Sequence, residues 1–373
     1  MVDGVKFLKN STTPRLFVAA TRQNDGKTTT SLGLLAAIQQ TYPRVGYIKP
    51  VGQRFVDIQH QKIDEDTVLM DRVYGLNCPL NDMSPIAVET DFTRRYLRTS
   101  NYAALASRIQ RAFDRVAWEK DLVVCEGTGH AGVGSVFDLS NARVAKLVGA
   151  KVVIVTRGGI GRPIDEVALN QALFEKEDVD IIGVILNKVM PNKVEQITEF
   201  AQKGLRRRGL DLLGVIPHVR LLSSPTMDLI REELQAEPIN GLEYIHSIVD
   251  DVVVGAMSVA HARKFFRAGA LLIVHGDRED LIESLAVSSS GGASLKLAGM
   301  ILTDDLKPND RMIELIRRLP YPVLLTSEGS YDVASKVRDV IVKTRSDDTE
   351  KISLIRDLIR SHVDVSKILN AII

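Results

Sequence analysis

Short apolar runs alternate with longer amphipathic segments along most of the chain, and this alternation restricts the fold more than any other feature. The runs are apolar throughout instead of alternating with polar residues, which is typical of parallel strands buried on both faces. Parallel strands joined through helices require right-handed crossovers and bind ligands at their carboxyl ends. The sequence therefore predicts an α/β fold with a doubly wound parallel sheet, with strands at residues 16–20, 45–49, 122–126, 151–156, 181–187 and 212–217.

A second, shorter series of strands follows a stretch rich in loop residues that begins with Ser-Ser-Pro at residue 223. The chain therefore divides into two predicted domains, residues 1–240 and a smaller α/β domain at 241–373. The strands of the smaller domain are predicted at residues 251–254, 270–275, 299–303 and 322–325.

The tail of the second domain, residues 347–373, has the pattern of a helix. Its apolar side chains recur at helical spacing and form a stripe. Such a stripe either packs on its own domain or forms a contact between two copies of the chain. The residues of the stripe are Ile352, Ile355, Leu358 and Ile359.

The charge balance bears on partners. There are 48 basic and 47 acidic residues, a formal net charge of +1, which gives no general attraction to nucleic acid or to an anionic membrane. No apolar run approaches the roughly 18 residues that a membrane span needs. Two cysteines, Cys78 and Cys125, are too few for a disulfide framework and suit a reducing compartment. We therefore expect a cytoplasmic protein with neither a nucleic-acid nor a membrane partner.

The segment from Ala20 to Thr28 carries the strongest functional signal. It follows the first predicted strand, closes on Gly26-Lys27-Thr28 and opens a long amphipathic helix. Such a loop directs backbone N–H groups and the positive end of the helix dipole at anionic oxygens. Lys27 would reach the β- and γ-phosphates, and Thr28 would offer a hydroxyl to Mg²⁺. Thr21 stands where the usual motif has its first glycine, so a plain helix start is the alternative.

An acidic residue near the magnesium ion is the second requirement of a phosphate loop. Glu126 meets it, because it ends the apolar strand at 122–126 and precedes Gly127, where the backbone can approach phosphates. The alternative interpretation is that Glu126 only ends a strand in solvent.

Taken together, these residues resemble the dethiobiotin synthetase family of P-loop ATP-dependent enzymes. The similarity is greatest to the dethiobiotin-synthetase-like N-terminal region of long bacterial phosphate acetyltransferases, without their catalytic domain. Residues 20–28 match the family's phosphate loop. The first glycine of that loop lies one position earlier than in the usual motif, and Ala20 stands in its place here. The family's Lys-Pro-Val is present at 49–51 and its Glu-Gly with further glycine at 126–129. Asn187, at the end of another strand, corresponds to the residue that holds adenine.

The resemblance implies ATP and Mg²⁺ as cofactors, with Lys27 and Lys49 as catalytic residues. Lys49 would lie between the γ-phosphate and an acceptor carboxylate, and the metal residues would be Thr28, Asp66 and Glu126. From the residues alone, Lys49 also fits a solvated strand end, and Asp66 fits a negatively charged first turn of a helix. The residues assigned to the nucleotide are Thr21, Asn24, Asp25, Gly26, Lys27, Thr28, Thr29, Gly127 and Asn187.

Three departures separate the chain from the family. Gln23 and Gln53 replace small hydroxyl residues near the diamine substrate, and His130 replaces a glycine. His130 is either a contact to phosphate or acceptor, or a surface histidine. ATP binding is therefore expected from the resemblance, whereas the family's diamine substrate is not.

Residues 241–373 resemble the DRTGG domain of the same long acetyltransferases. The matching segments are 254–258, 275–278 and 299–303, and an aspartate pair replaces the glycine pair of many members. Arg278 either binds an anion or pairs with a helix-capping Asp277.

Two functions fit this combination. One is an ATP- and Mg²⁺-dependent enzyme that phosphorylates a carboxylate or carbamate in a ligase-type reaction. The other is a nucleotide-binding regulatory protein whose DRTGG domain senses a small ligand or contacts a partner enzyme. A homodimer is expected in either case, because dethiobiotin synthetases build their sites across a dimer interface. Glutamine hydrolysis is excluded, because no cysteine follows Cys125.

Overall fold

The computed structural model of the protein describes residues 10–290, 297–340 and 342–373, with the backbone alone at 288–290. The chain forms two compact units, Met1–His218 with Thr344–Ile373, and Val219–Lys343. This division differs from the predicted domains at 1–240 and 241–373. No helix in the described parts of the chain is both long enough and apolar enough to cross a bilayer.

In the described residues, the first unit contains ten strands and eight α-helices before the chain enters the second unit. The strands are β1 (Arg15–Ala20), β2 (Val45–Ile48), β3 (Val51–Gly52), β4 (Phe55–Ile58), β5 (Gln61–Asp64), β6 (Ile86–Ala87), β7 (Leu122–Glu126), β8 (Lys151–Arg157), β9 (Ile181–Val189) and β10 (Leu212–Pro217). The helices are α1 (Lys27–Gln39), α2 (Glu65–Tyr74), α3 (Leu80–Met83), α4 (Phe92–Arg98), α5 (Tyr102–Val116), α6 (Asn141–Val148), α7 (Arg162–Lys176) and α8 (Val194–Arg206).

The central sheet has six strands in the order β10-β9-β8-β1-β7-β2, and every pairing is parallel. All six residues of β1 are buried between its neighbours β7 and β8. From β1 the chain goes to the edge strand β2 and back to β7, and it then crosses to β8 and proceeds outward through β9 to β10. The order reverses beside β1, so the crevice where ligands bind in such sheets lies at the carboxyl end of β1. The predicted doubly wound parallel sheet is confirmed.

Two small ribbons stand beside this sheet. β3 pairs with β6, and β4 forms an antiparallel hairpin with β5. The hairpin turns at Gln59 and His60, whose φ angles of 51° and 62° are left-handed, as in a two-residue hairpin turn. The hairpin ends at Asp64, whose carboxylate caps α2 by accepting from the backbone N–H of Asp66.

The second unit is a smaller α/β domain. Its sheet has the order β11-β15-β14-β13-β12, in which β11 is an antiparallel edge strand and the other pairings are parallel. Apolar clusters cover the sheet. The elements are β11 (Glu237–Asn240), β12 (Asp251–Val254), β13 (Ala270–His275), β14 (Gly299–Thr303), β15 (Val323–Leu325), α9 (Met227–Leu234), α10 (Val259–Ala262), α11 (Glu279–Ser290), α12 (Asp310–Ile316) and α13 (Ser330–Asp339).

Arg278, in the second unit, is held by local partners. Its guanidinium pairs with Asp280 at 2.8 Å and donates to the carbonyl oxygens of Gly255 and Met257. These contacts tie the start of α11 to the loop after β12. Arg278 therefore stabilises the local structure around the start of α11. Its carboxylate partner is Asp280 instead of the expected Asp277.

The tail forms two helices, α14 (Thr349–His362) and α15 (Val365–Ile372), and both belong to the first unit. The apolar stripe of α14 is buried against α1, where a Cβ on Gly33 would lie 2.1 Å from Cγ1 of Ile359. Val363 also pairs with Gly214 of β10. The predicted domain at 241–373 is therefore wrong in its tail, because the stripe packs on the helix that follows β1.

Candidate nucleotide site

The loop between β1 and α1 has the geometry of a phosphate-binding turn. Gly26 has a φ of 104°, and α1 begins at the next residue. A Cβ on Gly26 would lie 2.0 Å from Nδ2 of Asn187, so no larger residue fits. The turn directs the first backbone N–H groups of α1 toward the carboxyl edge of the sheet.

Lys27 bridges this loop and the loop after β7. Its ammonium donates to the carbonyl oxygens of Arg22 at 3.3 Å and Gly129 at 3.1 Å. The side chain is buried, which lowers the pKa of Lys27 to about 8 although Glu126 acts in the opposite direction. A buried ammonium that donates to neutral carbonyl oxygens is well suited to bind an anion.

Glu126 is completely buried at the end of β7, which rules out a strand end in solvent. Thr28 donates to its Oε1 at 2.9 Å, and the hydroxyl of Tyr47 donates to its Oε2 at 3.1 Å. Burial raises the pKa of Glu126, while the neighbouring Lys49 lowers it. The carboxylate is thus fixed next to the hydroxyl predicted to face a metal ion.

Lys49 lies among three carboxylates. Its ammonium is 3.1 Å from Oδ1 of Asp64 and 3.7 Å from Oε1 of Glu126, and it also bonds to Asp66. Burial alone lowers the pKa of Lys49, but the three carboxylates together raise it above its ordinary value. The side chain is buried, so a solvated strand end is excluded. Asp66 does lie in the first turn of α2, as the alternative required, and also pairs with Lys49.

Asp25 is a buried acid within the loop itself. Its Oδ2 accepts from Thr21 at 2.8 Å, and its Oδ1 lies 3.3 Å from Nε of Arg157. The Thr21 hydroxyl also bonds to that of Thr156 at 2.8 Å. Burial raises the pKa of Asp25. Thr21 and Asp25 therefore fasten the loop to the end of β8.

The remaining predicted nucleotide residues lie around this loop. Thr29 follows Thr28 in the first turn of α1, and Asn24 is exposed with a φ of 65°. A Cβ on Gly127 would lie 2.8 Å from both Phe17 and Asn141, so the backbone there is tightly packed. Asn187 donates to the carbonyl oxygen of Asp25 at 2.9 Å.

The three positions that depart from the family pattern are exposed. They are Gln23, Gln53 and His130. Nδ1 of His130 accepts from the backbone N–H of Gly132 at 3.1 Å, a contact within its own loop. No charged partner of these side chains stands out among the residues that the structure describes.

For a metal ion, the described residues contain no group of three or more His, Cys, Asp or Glu side chains in a suitable arrangement. Mg²⁺ does not require one, because it keeps water and phosphate oxygens alongside one or two protein ligands. The Thr28 hydroxyl and the Glu126 carboxylate, 2.9 Å apart, are oxygen donors of the kind it prefers. The donor set therefore fits magnesium through these two residues.

Sequence reasoning missed several members of the site. Tyr47 lies two residues before Lys49 and thus on the same face of β2, a spacing that could have revealed it. Asp64 as a partner of Lys49, and Thr156 and Arg157 beneath the loop, had no such signal. These contacts join residues far apart in the chain.

A Gly-Lys-Thr turn joins the central strand β1 to the helix α1, and a buried acid ends the neighbouring strand β7. This combination, in a parallel sheet, defines a P-loop NTPase-like fold. Residues 14–226 match the AAA_26 family, described as an AAA domain, and the chain belongs to that family. Residues 229–340 match the DRTGG domain.

Two curated relatives are phosphate acetyltransferases. That of Pseudomonas putida is 30% identical over 366 residues, covering 94% of this chain and 50% of the relative. That of Nitratidesulfovibrio vulgaris is 24% identical over 363 residues, covering 95% and 51%. The chain thus spans about half the length of these relatives and matches their region without the catalytic domain.

Among solved structures, the septum site-determining protein MinD from Pyrococcus horikoshii, complexed with Mg-ADP, is similar with a TM-score of 0.37. The match has 17% identity and covers 56% of this chain and 83% of that one.

Proposed function

We propose that the first unit binds ATP with Mg²⁺ at the loop between β1 and α1, and that it serves as a nucleotide-binding regulatory region. The observation that carries this proposal is the buried ammonium of Lys27, at the start of α1, whose hydrogen-bond acceptors among the described residues are two backbone carbonyl oxygens. Triphosphate oxygens would replace these weak acceptors with charged ones.

Each residue of the site has a defined task in this proposal. The backbone N–H groups after Gly26 hold the phosphates, and Lys27 neutralises their charge. Thr28 and Glu126 would hold Mg²⁺, which when bound offsets charge on the phosphate oxygens. Tyr47 orients Glu126 by donating to its second oxygen.

The surroundings of Lys49 favour regulation over phosphoryl transfer to a carboxylate. Three carboxylates already surround this ammonium, so its positive charge is offset before any acceptor binds. An acceptor carboxylate approaching Lys49 would add a fourth negative charge and be repelled at short range. The protein would then bind the nucleotide without efficiently transferring its phosphoryl group to a carboxylate.

A ligase-type reaction, phosphorylation of a carboxylate or carbamate, is the second candidate. It is favoured by the position of Lys49 at the end of β2, 3.7 Å from the carboxylate that also contacts Thr28. If Asp64 or Asp66 were drawn away, the freed ammonium would lie beside the transferred phosphoryl group.

Calorimetric titration with MgATP tests the proposal. We expect Lys27→Ala to weaken binding roughly 100-fold, because a charge-assisted contact to the phosphates is lost. Lys193→Ala, at an exposed lysine after β9, should bind like the unmodified protein. Turnover far below once per second, with or without added carboxylates, supports regulation. Rapid turnover with one of them favours the ligase, and absence of any affinity for ATP or GTP refutes both.

The second unit has a separate part in this proposal. By its relation to phosphate acetyltransferases, its DRTGG domain would sense a small regulatory ligand or contact a partner enzyme. A homodimer is expected from the likeness of the first unit to dethiobiotin synthetase. Light scattering with and without MgATP measures the number of copies, and a monomer in both states would remove the dimer from the proposal.

A further inference from the structure

Two side chains at the end of β9 donate hydrogen bonds to the backbone of the phosphate loop. Nδ2 of Asn187 donates to the carbonyl oxygen of Asp25 at 2.9 Å, and Nζ of Lys188 donates to that of Asn24 at 2.9 Å. Two successive carbonyl groups of the loop, next to Gly26, are thus bound by two successive side chains. The contacts span more than 160 residues of sequence, 162 and 164.

Both the nitrogen and the oxygen of the Asn187 side-chain amide are hydrogen-bonded to backbone groups. Its oxygen accepts from the backbone N–H of Lys188 at 2.9 Å, while its nitrogen bonds to the loop. The residue is 5% exposed, and its nitrogen occupies the space that a Cβ on Gly26 would need. A base would have to share the amide with partners that already fix its orientation.

The backbone on both sides of the contact is in an uncommon conformation. Asn24 has a φ of 65° and Lys188 a φ of 57°, both left-handed for residues other than glycine. Such conformations persist only where surrounding contacts hold them. The bond between the Lys188 ammonium and the Asn24 carbonyl oxygen is one such contact, because it joins these two residues directly.

We infer that Asn187 and Lys188 are positioning residues for the phosphate loop, and that they support polyphosphate binding irrespective of the base. This inference rests on the proposed nucleotide binding. It differs from the role that the family resemblance gives Asn187, since a residue that holds adenine would affect only ligands that carry a base.

Affinities for three probes separate the two roles. The probes are ATP, GTP and inorganic tripolyphosphate, each with Mg²⁺ and measured by calorimetry. The first variant, Asn187→Asp, keeps the shape but turns an oxygen toward the Asp25 carbonyl oxygen. Its matched control is Asn192→Asp, at an exposed asparagine five residues along. The second variant, Lys188→Met, removes the donor to the Asn24 carbonyl oxygen. A separate variant, Lys188→Arg, keeps a donor at this position. Its matched control is Lys193→Met, also exposed.

We expect Asn187→Asp and Lys188→Met each to weaken the binding of all three ligands, roughly 10-fold or more, because each removes a donor to a loop carbonyl oxygen. Lys188→Arg should recover most of the affinity. Hydrogen exchange of amides 22–27 should accelerate in the two variants while that of β8 stays unchanged, which shows that the fold persists.

Two outcomes overturn the inference. A loss confined to ATP, or to ATP and GTP, with tripolyphosphate unaffected makes Asn187 a reader of the base. Unchanged affinities in both variants remove any role for the contacts. Failure of the proposed function looks different, because the unmodified protein would then bind none of the three ligands.

Discussion

At the scale of single residues, the site depends on how two buried lysines are compensated. Lys49 is surrounded by carboxylates that raise its pKa above its ordinary value, so it is charged at neutral pH. Lys27 has carbonyl oxygens as its hydrogen-bond partners, and burial lowers its pKa to about 8. The two ammonium groups therefore differ in what they can do. Lys49 holds the acidic cluster together, and Lys27 gains most from an incoming anion.

The pKa of Lys27 predicts how nucleotide affinity depends on pH. Below about pH 8 the ammonium is charged in the free protein, and above it the amine is largely neutral. Binding of a triphosphate must then take up a proton, so the Kd should rise by up to about tenfold per pH unit between pH 8 and 9.5. Calorimetry in buffers of different ionisation enthalpy measures this uptake.

Lys27→Arg is the control, because arginine stays charged throughout that range. Its affinity should change little between pH 8 and 9.5, whereas equal pH dependence in both proteins would contradict the assignment. Stability of the free protein should have the opposite sign. The unfolded chain keeps the Lys27 proton up to its ordinary 10.5, so this group makes stability rise with pH between about 8 and 10.5.

At the scale of elements, the contact between α1 and α14 depends on one glycine. Glycine within a helix normally lowers stability by about 1 kcal/mol relative to alanine. At Gly33 the sign should reverse, because a Cβ would lie 2.1 Å from Cγ1 and 2.7 Å from Cβ of Ile359. We expect Gly33→Ala to destabilise the protein by about 1–3 kcal/mol, the usual cost of overpacking. Urea denaturation measures the change.

A second variant distinguishes overpacking from a change in helix propensity. Ile359→Ala alone should cost about 2–4 kcal/mol, because the side chain is 1% exposed. Combined with Gly33→Ala it should cost less than the sum, since the smaller side chain leaves room for the new methyl group. Additive costs, or a stabilising Gly33→Ala, would show that the two helices do not meet at Gly33.

The long elements of the first unit were predictable because each strand is a continuous apolar run and each long helix is an amphipathic segment, and both patterns are visible in the local sequence. The predicted strands at 122–126 and 212–217 have the observed bounds, and the others differ by at most two residues at either end. The ribbons β3–β6 and β4–β5 were not predicted, since two- to four-residue strands lack a readable period. The hairpin carries Asp64 to Lys49, so missing it also hid one carboxylate of the site.

The candidate site was predictable where residues act through local sequence. Gly26, Lys27 and Thr28 form one turn, and Glu126 ends one strand, so both features are visible in the chain. The support around them was not, because it depends on which strand ends the topology brings together. Thr156 and Lys188 reach the loop only once β8 and β9 stand beside β1.

At the scale of the whole molecule, the path of the chain differs from the predicted succession of two domains. The segment Val219–Lys343 forms a compact unit, and the chain then returns to complete the unit in which it began. The stripe on α14 indicated burial but not against which partner. Helical periodicity identifies an apolar face, whereas its partner is set by a complementary surface, here the face of α1 that contains Gly33.

The returning tail predicts which part of the molecule depends on it. A variant that ends at Lys343 loses α14 and α15, and with them the cover of Gly33 and the pairing of Val363 with Gly214. Because α14 packs on α1, which in turn packs on β1 and begins at the phosphate loop, the amides of β1, α1 and this loop should exchange much faster, and MgATP should bind weakly. The amides of Val219–Lys343 should keep their protection, since that unit has its own apolar clusters. Hydrogen exchange with mass spectrometry measures both units in one sample. The opposite pattern, with β1 and α1 unchanged and β12–β15 exposed, is what a domain at 241–373 would require, and it would refute the placement of the tail.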